Sequence, residues 1–289
     1  MIKRSLTSLA MAMIFSLSLS SSIALSDEQR LISTDAGATE LIFSLGLEQS
    51  LVAVDVTSQL PKGHQPLPNI GYHRNLSAEG LLSLEPSAVI GSEFMGPPPT
   101  VNALQQARVQ LVRLPGAKTS TQLRNNIRDL AAALDQNKRG EQLLKHLDEQ
   151  LNALEKSPLG GQKIAFLLSM DTAKLRLAGS GSSGAALINL LSGDNVAEFK
   201  NYQTVSAESL MAMQPDIILV AGKNTTTAVD DLLKVNPILL HSPAGLNGRI
   251  IAVDGSTLVA GLSVSAVDEA LRLATQLRAQ AINKTAAAR

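Results

Sequence analysis

Tyr72, His73 and Arg74 set a phenol, an imidazole and a guanidinium side by side in a chain of 289 residues that has only two tyrosines and four histidines. A cation two residues from a phenol stabilises its ionised form. A phenolate is a hard oxygen donor suited to ferric iron, haem iron included. The plainer alternative is a tyrosine whose ring packs and whose hydroxyl finds a partner nearby; Arg74 shifts the balance toward a ligand role. His73, between them, joins the candidate ligand contacts.

Other chemistry is scarce. The chain has no cysteine. His64, His73, His146 and His241 are scattered without metal-ligand spacing, so a histidine-built zinc or manganese site is not expected. No G-x-S-x-G turn precedes a Ser/His/acid set, and the protein is not expected to be an enzyme. One motif points elsewhere: "GSGSSG", residues 179–184, fits G-x-G-x-x-G and stands between a predicted strand and a predicted helix. A dinucleotide fold would seat a pyrophosphate there. Against it, two strands precede the motif in succession, and no acidic residue closes a second strand at the required distance. A flexible loop lining a ligand cleft is the better expectation, with a secreted dinucleotide-dependent oxidoreductase as the rival from another class.

The elements that position these residues alternate. "RLIST", "SLVAVD", "SAVIGS" and "VQLVRLPG" predict strands, with helices over "GATELIFSLG" (ending at Gly46) and "TVNALQQA". After Pro158 the alternation resumes: "KIAFLLS", "LRLAG", "DIILVAG" and "RIIAVD" as strands, with "AALINLLSG", "AESLMAM", "AVDDLLKV" and "AVDEALRLATQLRAQAIN" as helices. Such alternation predicts α/β architecture with mostly parallel sheets. Between the halves, leucines 143, 147, 151 and 154 recur at helical spacing, predicting helices over 120–135 and 138–156, the second joining two lobes. Residues 1–26, two basic residues followed by a short Ser-rich apolar run, are expected to be a secretory signal. The expected division is then 27–137, an N-terminal lobe; 138–157, a connecting helix; and 158–289, a C-terminal lobe. Acidic and basic residues balance at 25 each, and no charge run suits nucleic acid.

One segment is written twice. At an offset of 129, "NLSAEGLLSLEPSAVIGSE" faces "TVSAESLMAMQPDIILVAG", matching Ser77 with Ser206, Glu79 with Glu208, Leu81 with Leu210 and Pro86 with Pro215. Each copy predicts a serine-capped helix with an anion in its first turn, followed by a buried strand. Two similar lobes with a ligand cleft between them would produce this echo. Tyr202, four residues before its serine where Tyr72 is five before, is expected at the pocket rim.

The segment "GYHRNLSAEG", with "GATELIFSLGL", "LVAVDVTSQLP" and "GRIIAVDG" around it, resembles the haem-binding periplasmic proteins of bacterial hemin ABC importers. The resemblance implies two Rossmann-like lobes joined by one long helix, with the ligand in the cleft. It implies Tyr72 as axial ligand to ferric haem and Arg74 bonded to its oxygen. It also implies an acid on each lobe, Glu79 and Glu208, that docks on an inner-membrane permease with its ATPase. The protein is then a periplasmic carrier of haem, expected to be a monomer; a ferric-siderophore or cobalamin binder is the alternative on the same fold. Two regions depart from the family. "SMDTAK" lacks a histidine and "VAGLSVSAVD" lacks an arginine that some relatives carry, leaving open a second axial ligand or a propionate partner. Met170 could approach the other face of the iron or form plain apolar wall.

Overall fold

The computed structural model describes residues 29–156, 159–169, 174–222 and 224–287. The expected signal sequence, Pro158 and Met170 lie outside the described residues.

The first half runs β1 (Leu31–Ser33), α1 (Ala36–Ser44), β2 (Leu51–Ala53), α2 (Ala78–Leu82), β3 (Ala88–Ser92), α3 (Pro98–Gln106), β4 (Gln110–Leu114) and α4 (Ser120–Ala133). Its four strands form one parallel sheet in the order β2-β1-β3-β4. β1 and β3 are buried along their whole length, the condition of a parallel strand covered on both faces, which is why they stand out as apolar runs. α1 is capped by the Asp35 carboxylate, which accepts from Ala38 N. It ends where Gly46, at φ +64°, reverses the chain and donates to Phe43 O.

α5 (Asn137–Glu155) follows, its Leu147, Leu151 and Leu154 buried at helical spacing. The predicted helix pair is present with bounds shifted by a residue or two.

The second half runs β5 (Lys163–Ser169), β6 (Leu175–Ala178), α6 (Ser183–Leu190), β7 (Asp194–Asn195), β8 (Tyr202–Val205), α7 (Ala207–Ala212), β9 (Ile217–Gly222), α8 (Ala228–Val235), α9 (Pro243–Leu246), β10 (Ile250–Val253) and α10 (Val264–Ala287). Its sheet has the order β10-β9-β5-β6-β8, with β7 beside β5. β5, β9 and β10 are parallel, but β6 runs antiparallel to both β5 and β8. This departs from the all-parallel pattern of the first half, and the cause is chain length. Only residues 170–174 separate β5 from β6, whereas a parallel crossover needs about a dozen residues.

The echo holds in atomic detail. Ser77 accepts from Gly80 N and Ser206 from Ser209 N. Leu81 and Leu210 are both buried. Glu85 and Gln214, again 129 apart, both take left-handed backbone, at φ 49° and 51°, just before the prolines that lead into β3 and β9.

One apolar cluster runs through both halves. Leu31, Ile42 and Ile127 join Leu147, Leu151 and Leu154 of α5, then Phe166, Leu219, Val267 and Leu273. Burying one such side chain fully is worth about 1.5–3 kcal/mol against leaving it exposed. Smaller clusters cover the other faces, around Val89 and Leu104 in the first sheet and Leu177 and Val220 in the second. Among the described residues no helix is long and apolar enough to cross a membrane.

Candidate functional site

Parallel strands end at one edge of a sheet, so the loops that follow them gather there. In the first half these are 54–77 after β2, 93–97 after β3 and 115–119 after β4. In the second half, 254–263 follows β10 at the same kind of edge. The two edges meet. Leu262 N donates to Ala117 O at 2.8 Å, and a Cβ on Gly261, at φ +130°, would lie 2.5 Å from Ala117 N; only glycine permits that approach. Beside this contact Glu40 of α1 accepts from both Ser265 N and Ser265 Oγ at the start of α10. Burial pushes the Glu40 carboxyl up, against the lowering effect of its serine bonds, and the charge of Asp268 adds to the rise. Asp35, at the end of β1, is likewise pushed up by burial although Ala38 N and Ser92 N donate to it.

The junction itself encloses only about 30 Å³, between Asp35, Ser92, Asn126 and Ser263, room for one water. A crevice of about 280 Å³ between Phe43 and Gln59 on one side and Asp254 and Thr257 on the other opens next to it. A larger ligand at these facing edges would sit outside the junction, on the loops; a separate crevice of about 630 Å³ lies by Lys163, Asp194 and Phe199.

Tyr72 belongs to those loops. Gly71, at φ +86°, turns the chain with its N–H on Asn69 Oδ1, and Asn75 N closes the next turn on Tyr72 O. Gly96 N donates to His73 O and Leu76 N to Gly96 O, so the loop after β2 is sewn to the loop after β3. Tyr72 is 47% exposed, and among the described residues its hydroxyl has no hydrogen-bond partner. Val56 is bonded through its N–H to Gly71 O and is exposed as well. The two present an apolar face with one free phenol.

The neighbours of Tyr72 differ from expectation. Arg74 is exposed, but its guanidinium lies over the Phe94 ring, 4.6 Å from the centroid, rather than on the Tyr72 oxygen. A cation over an aromatic face is stabilised by the ring quadrupole, and Phe94 is the ring within reach. His73 is a correction too. It is buried at 4% exposure, its Nδ1 3.5 Å from Asp55 Oδ2, so its imidazole supports the loop from below instead of facing a ligand.

Tyr202 and "GSGSSG" are corrected together. Tyr202 pairs with Ala178 at the end of the antiparallel β6, which is the edge opposite the carboxyl ends of β5, β9 and β10. There its hydroxyl accepts from Gly184 N at 3.1 Å and lies 3.4 Å from Ser183 Oγ. Ser182 Oγ accepts from Ala185 N, so two of the first N–H groups of α6, those of Gly184 and Ala185, already have partners. A Cβ on Gly179 would run into Phe199, and one on Gly184 into Phe166. These glycines serve close packing; the loop neither lines the cleft nor offers a phosphate cradle, and the strand before it is antiparallel, unlike a dinucleotide unit.

Glu79 and Glu208 are both exposed in the first turns of α2 and α7. Each helix begins at the carboxyl edge of its own sheet, Glu79 just after the Tyr72 loop and Glu208 just after β8. The Glu208 backbone N–H and the Ser206 hydroxyl hold the Glu208 carboxyl below its usual range. Sequence reasoning missed Asp55, Glu40 and Phe94. Isolated acids carry no motif, and Phe94 is one aromatic in a Gly/Pro-rich loop.

Two α/β lobes tied by one long helix, with the carboxyl edges of their sheets facing each other, are the frame of a two-lobed solute-binding protein. The chain belongs to the periplasmic binding protein family, whose signature its residues 31–257 match. It is similar in structure to the periplasmic haem-binding protein HutB of Vibrio cholerae, at 38% identity and TM-score 0.80 over 86% of this chain and 99% of that one. A periplasmic haem-binding protein from Pseudomonas aeruginosa shares 32% identity with TM-score 0.75 over 86% and 92%. In sequence it is also similar to the vitamin B12-binding protein of Vibrio parahaemolyticus, 25% identical over 70% of this chain and 74% of that one. The likeness first visible around Tyr72 thus holds for family and fold.

Proposed function

We propose that the protein binds haem between its lobes, with the Tyr72 phenolate as axial ligand to the ferric iron, and delivers it unchanged to an inner-membrane ABC permease. The observation that carries this is the Tyr72 loop: an exposed phenol without a partner, beside exposed Val56, at the edge where the lobes face each other. A flat apolar ligand with a hard metal centre suits that surface. On ligation the phenol gives up its proton, and the Arg74 guanidinium moves from Phe94 to the ligating oxygen, where its charge stabilises the anion. Glu79 and Glu208 then meet cations of the permease, one acid per lobe. Residues 1–26 direct export, and the carrier works in the periplasm as a monomer.

The similarity at 32–38% identity to two haem-binding proteins supports this ligand. A second reading, a cobalamin binder on the same fold, is favoured by the vitamin B12-binding relatives. Titration of the purified protein with hemin and, separately, with cyanocobalamin separates them. Hemin is expected to give a saturable visible spectrum that Tyr72→Phe alters; saturable cobalamin binding without hemin binding would overturn the proposal.

A further inference from the structure

His73 is an odd residue to bury. An imidazole removed from water without a good hydrogen bond is costly, and its Nδ1 has no partner at hydrogen-bond geometry. Yet the ring is clamped on two sides. At its edge, Asp55, at 1% exposure, stands 3.5 Å from Nδ1. The Tyr72 ring packs beside it, with centroids 4.2 Å apart and planes inclined at 46°.

Asp55 is itself fixed. Its carboxylate accepts from the N–H and hydroxyl of both Thr57 and Ser58. Thr57 Oγ1 accepts from Ala36 N, and Thr39 Oγ1 lies 2.7 Å from both Ser58 Oγ and Ser33 Oγ. Polar contacts thus fix Asp55 to β1 and α1, the buried His73 ring stands beside it, and only the Tyr72 ring is exposed.

We infer that His73, set on Asp55, is the positioning residue for Tyr72: its buried ring fixes the side-chain rotamer of an otherwise free phenol so that the oxygen already points where a ligand arrives. This rests on the reading of Tyr72 as ligand contact. The physical gain is in ordering, since a side chain held in its bound rotamer has less freedom to lose on binding. Immobilising one such side chain on binding costs about 0.5–1.5 kcal/mol, so holding it beforehand is worth about two- to tenfold in affinity.

The test uses two variants of similar buried volume. His73→Leu removes the ring and His73→Phe keeps one. With two tyrosines in the chain, ring-labelled tyrosine NMR of ligand-free protein reports on Tyr72 with Tyr202 as internal control. In His73→Leu the Tyr72 ring signals are expected to move to free-tyrosine positions while those of Tyr202 stay, and hemin affinity to fall two- to tenfold. His73→Phe should keep Tyr72 signals away from free-tyrosine positions and recover most of the affinity. Unmoved Tyr72 signals in His73→Leu, or equal loss in both variants, would overturn the inference. If the parent protein bound no hemin, the proposed function would fail, while the ligand-free spectra would still decide the positioning.

Discussion

The chain's two tyrosines precede matched serine caps by five and four residues, yet they end at opposite edges of their lobes. Tyr72 sits in a tight turn, its carbonyl bonded to Asn75 N, so it stays near the start of α2. Tyr202 opens β8, an extended segment that carries it about 13 Å away from the start of α7. One phenol is left free at the facing edge; the other is spent on the first turn of α6. The two lobes share the helix start, the buried leucine and the left-handed residue, while the approach to the helix differs and with it the chemistry.

The sharpest break of this comparison is Tyr72→Phe against Tyr202→Phe in hemin titrations. On the proposed axial role, loss of the phenol oxygen at 72 is expected to lower affinity about a hundredfold, roughly 2.7 kcal/mol, while the change at 202 leaves affinity as it was. Equal effects would erase the distinction between the lobes. Next in size is the symmetric pair. If both acids meet permease cations as proposed, reversing Glu79 and Glu208 together to Lys should leave hemin binding intact but cut uptake or stimulation of the transporter's ATPase about tenfold, because like charges would then face each other. Normal transport at unchanged protein level would reduce both acids to helix starts.

On the proposal that Arg74 bonds the Tyr72 oxygen in the loaded protein, Arg74→Ala removes a charge-assisted bond of about 1.5 kcal/mol, the low end of its class, and hemin binding is expected to weaken roughly tenfold. An unchanged binding curve would leave Arg74 on Phe94 in the loaded protein too. Tyr202→Phe should cost about 0.5–1.5 kcal/mol of stability, read by urea denaturation, since Gly184 N loses its acceptor.

The smallest effect concerns the bond between lobes. Burial raises the Glu40 carboxyl above its ordinary value near 4.5, so the folded state keeps that proton to higher pH than the unfolded chain. Its contribution to stability is therefore full below about pH 4.5 and is lost as pH rises through the raised folded value. Glu40→Gln, which can still accept from Ser265 N, should flatten the pH dependence of the melting temperature above that point. A profile as steep as the parent's would assign the slope to Asp35, whose raised carboxyl has the same sign.

Much of the fold was legible because buried parallel strands are apolar throughout: β1, β3, β5 and β9 declare themselves. β8 did not, since "YQTV" at a sheet edge is half-exposed and has no apolar run to find. The direction of β6 was within reach, as the five-residue gap before it forbids a crossover. At the candidate site, Tyr72 stands out through the company it keeps in sequence. The true partners of His73 and Arg74, Asp55 and Phe94, lie about twenty residues away, and only the closing of the loops after β2 and β3 brings them into contact. "GSGSSG" reads as a flexible loop lining the cleft, because glycines needed for packing against Phe166 and Phe199 look the same in sequence as glycines that leave a loop free.

The unbroken apolar cluster from Leu31 through α5 to Leu273 bears on how the molecule comes apart. Two sheets with separate cores would melt in two steps, and a protease could release one half intact. Here the leucines of α5 belong to both halves at once, so neither can lose its packing while the other keeps it. Calorimetry should record a single cooperative transition, its van't Hoff enthalpy equal to the measured heat, despite the presence of two lobes.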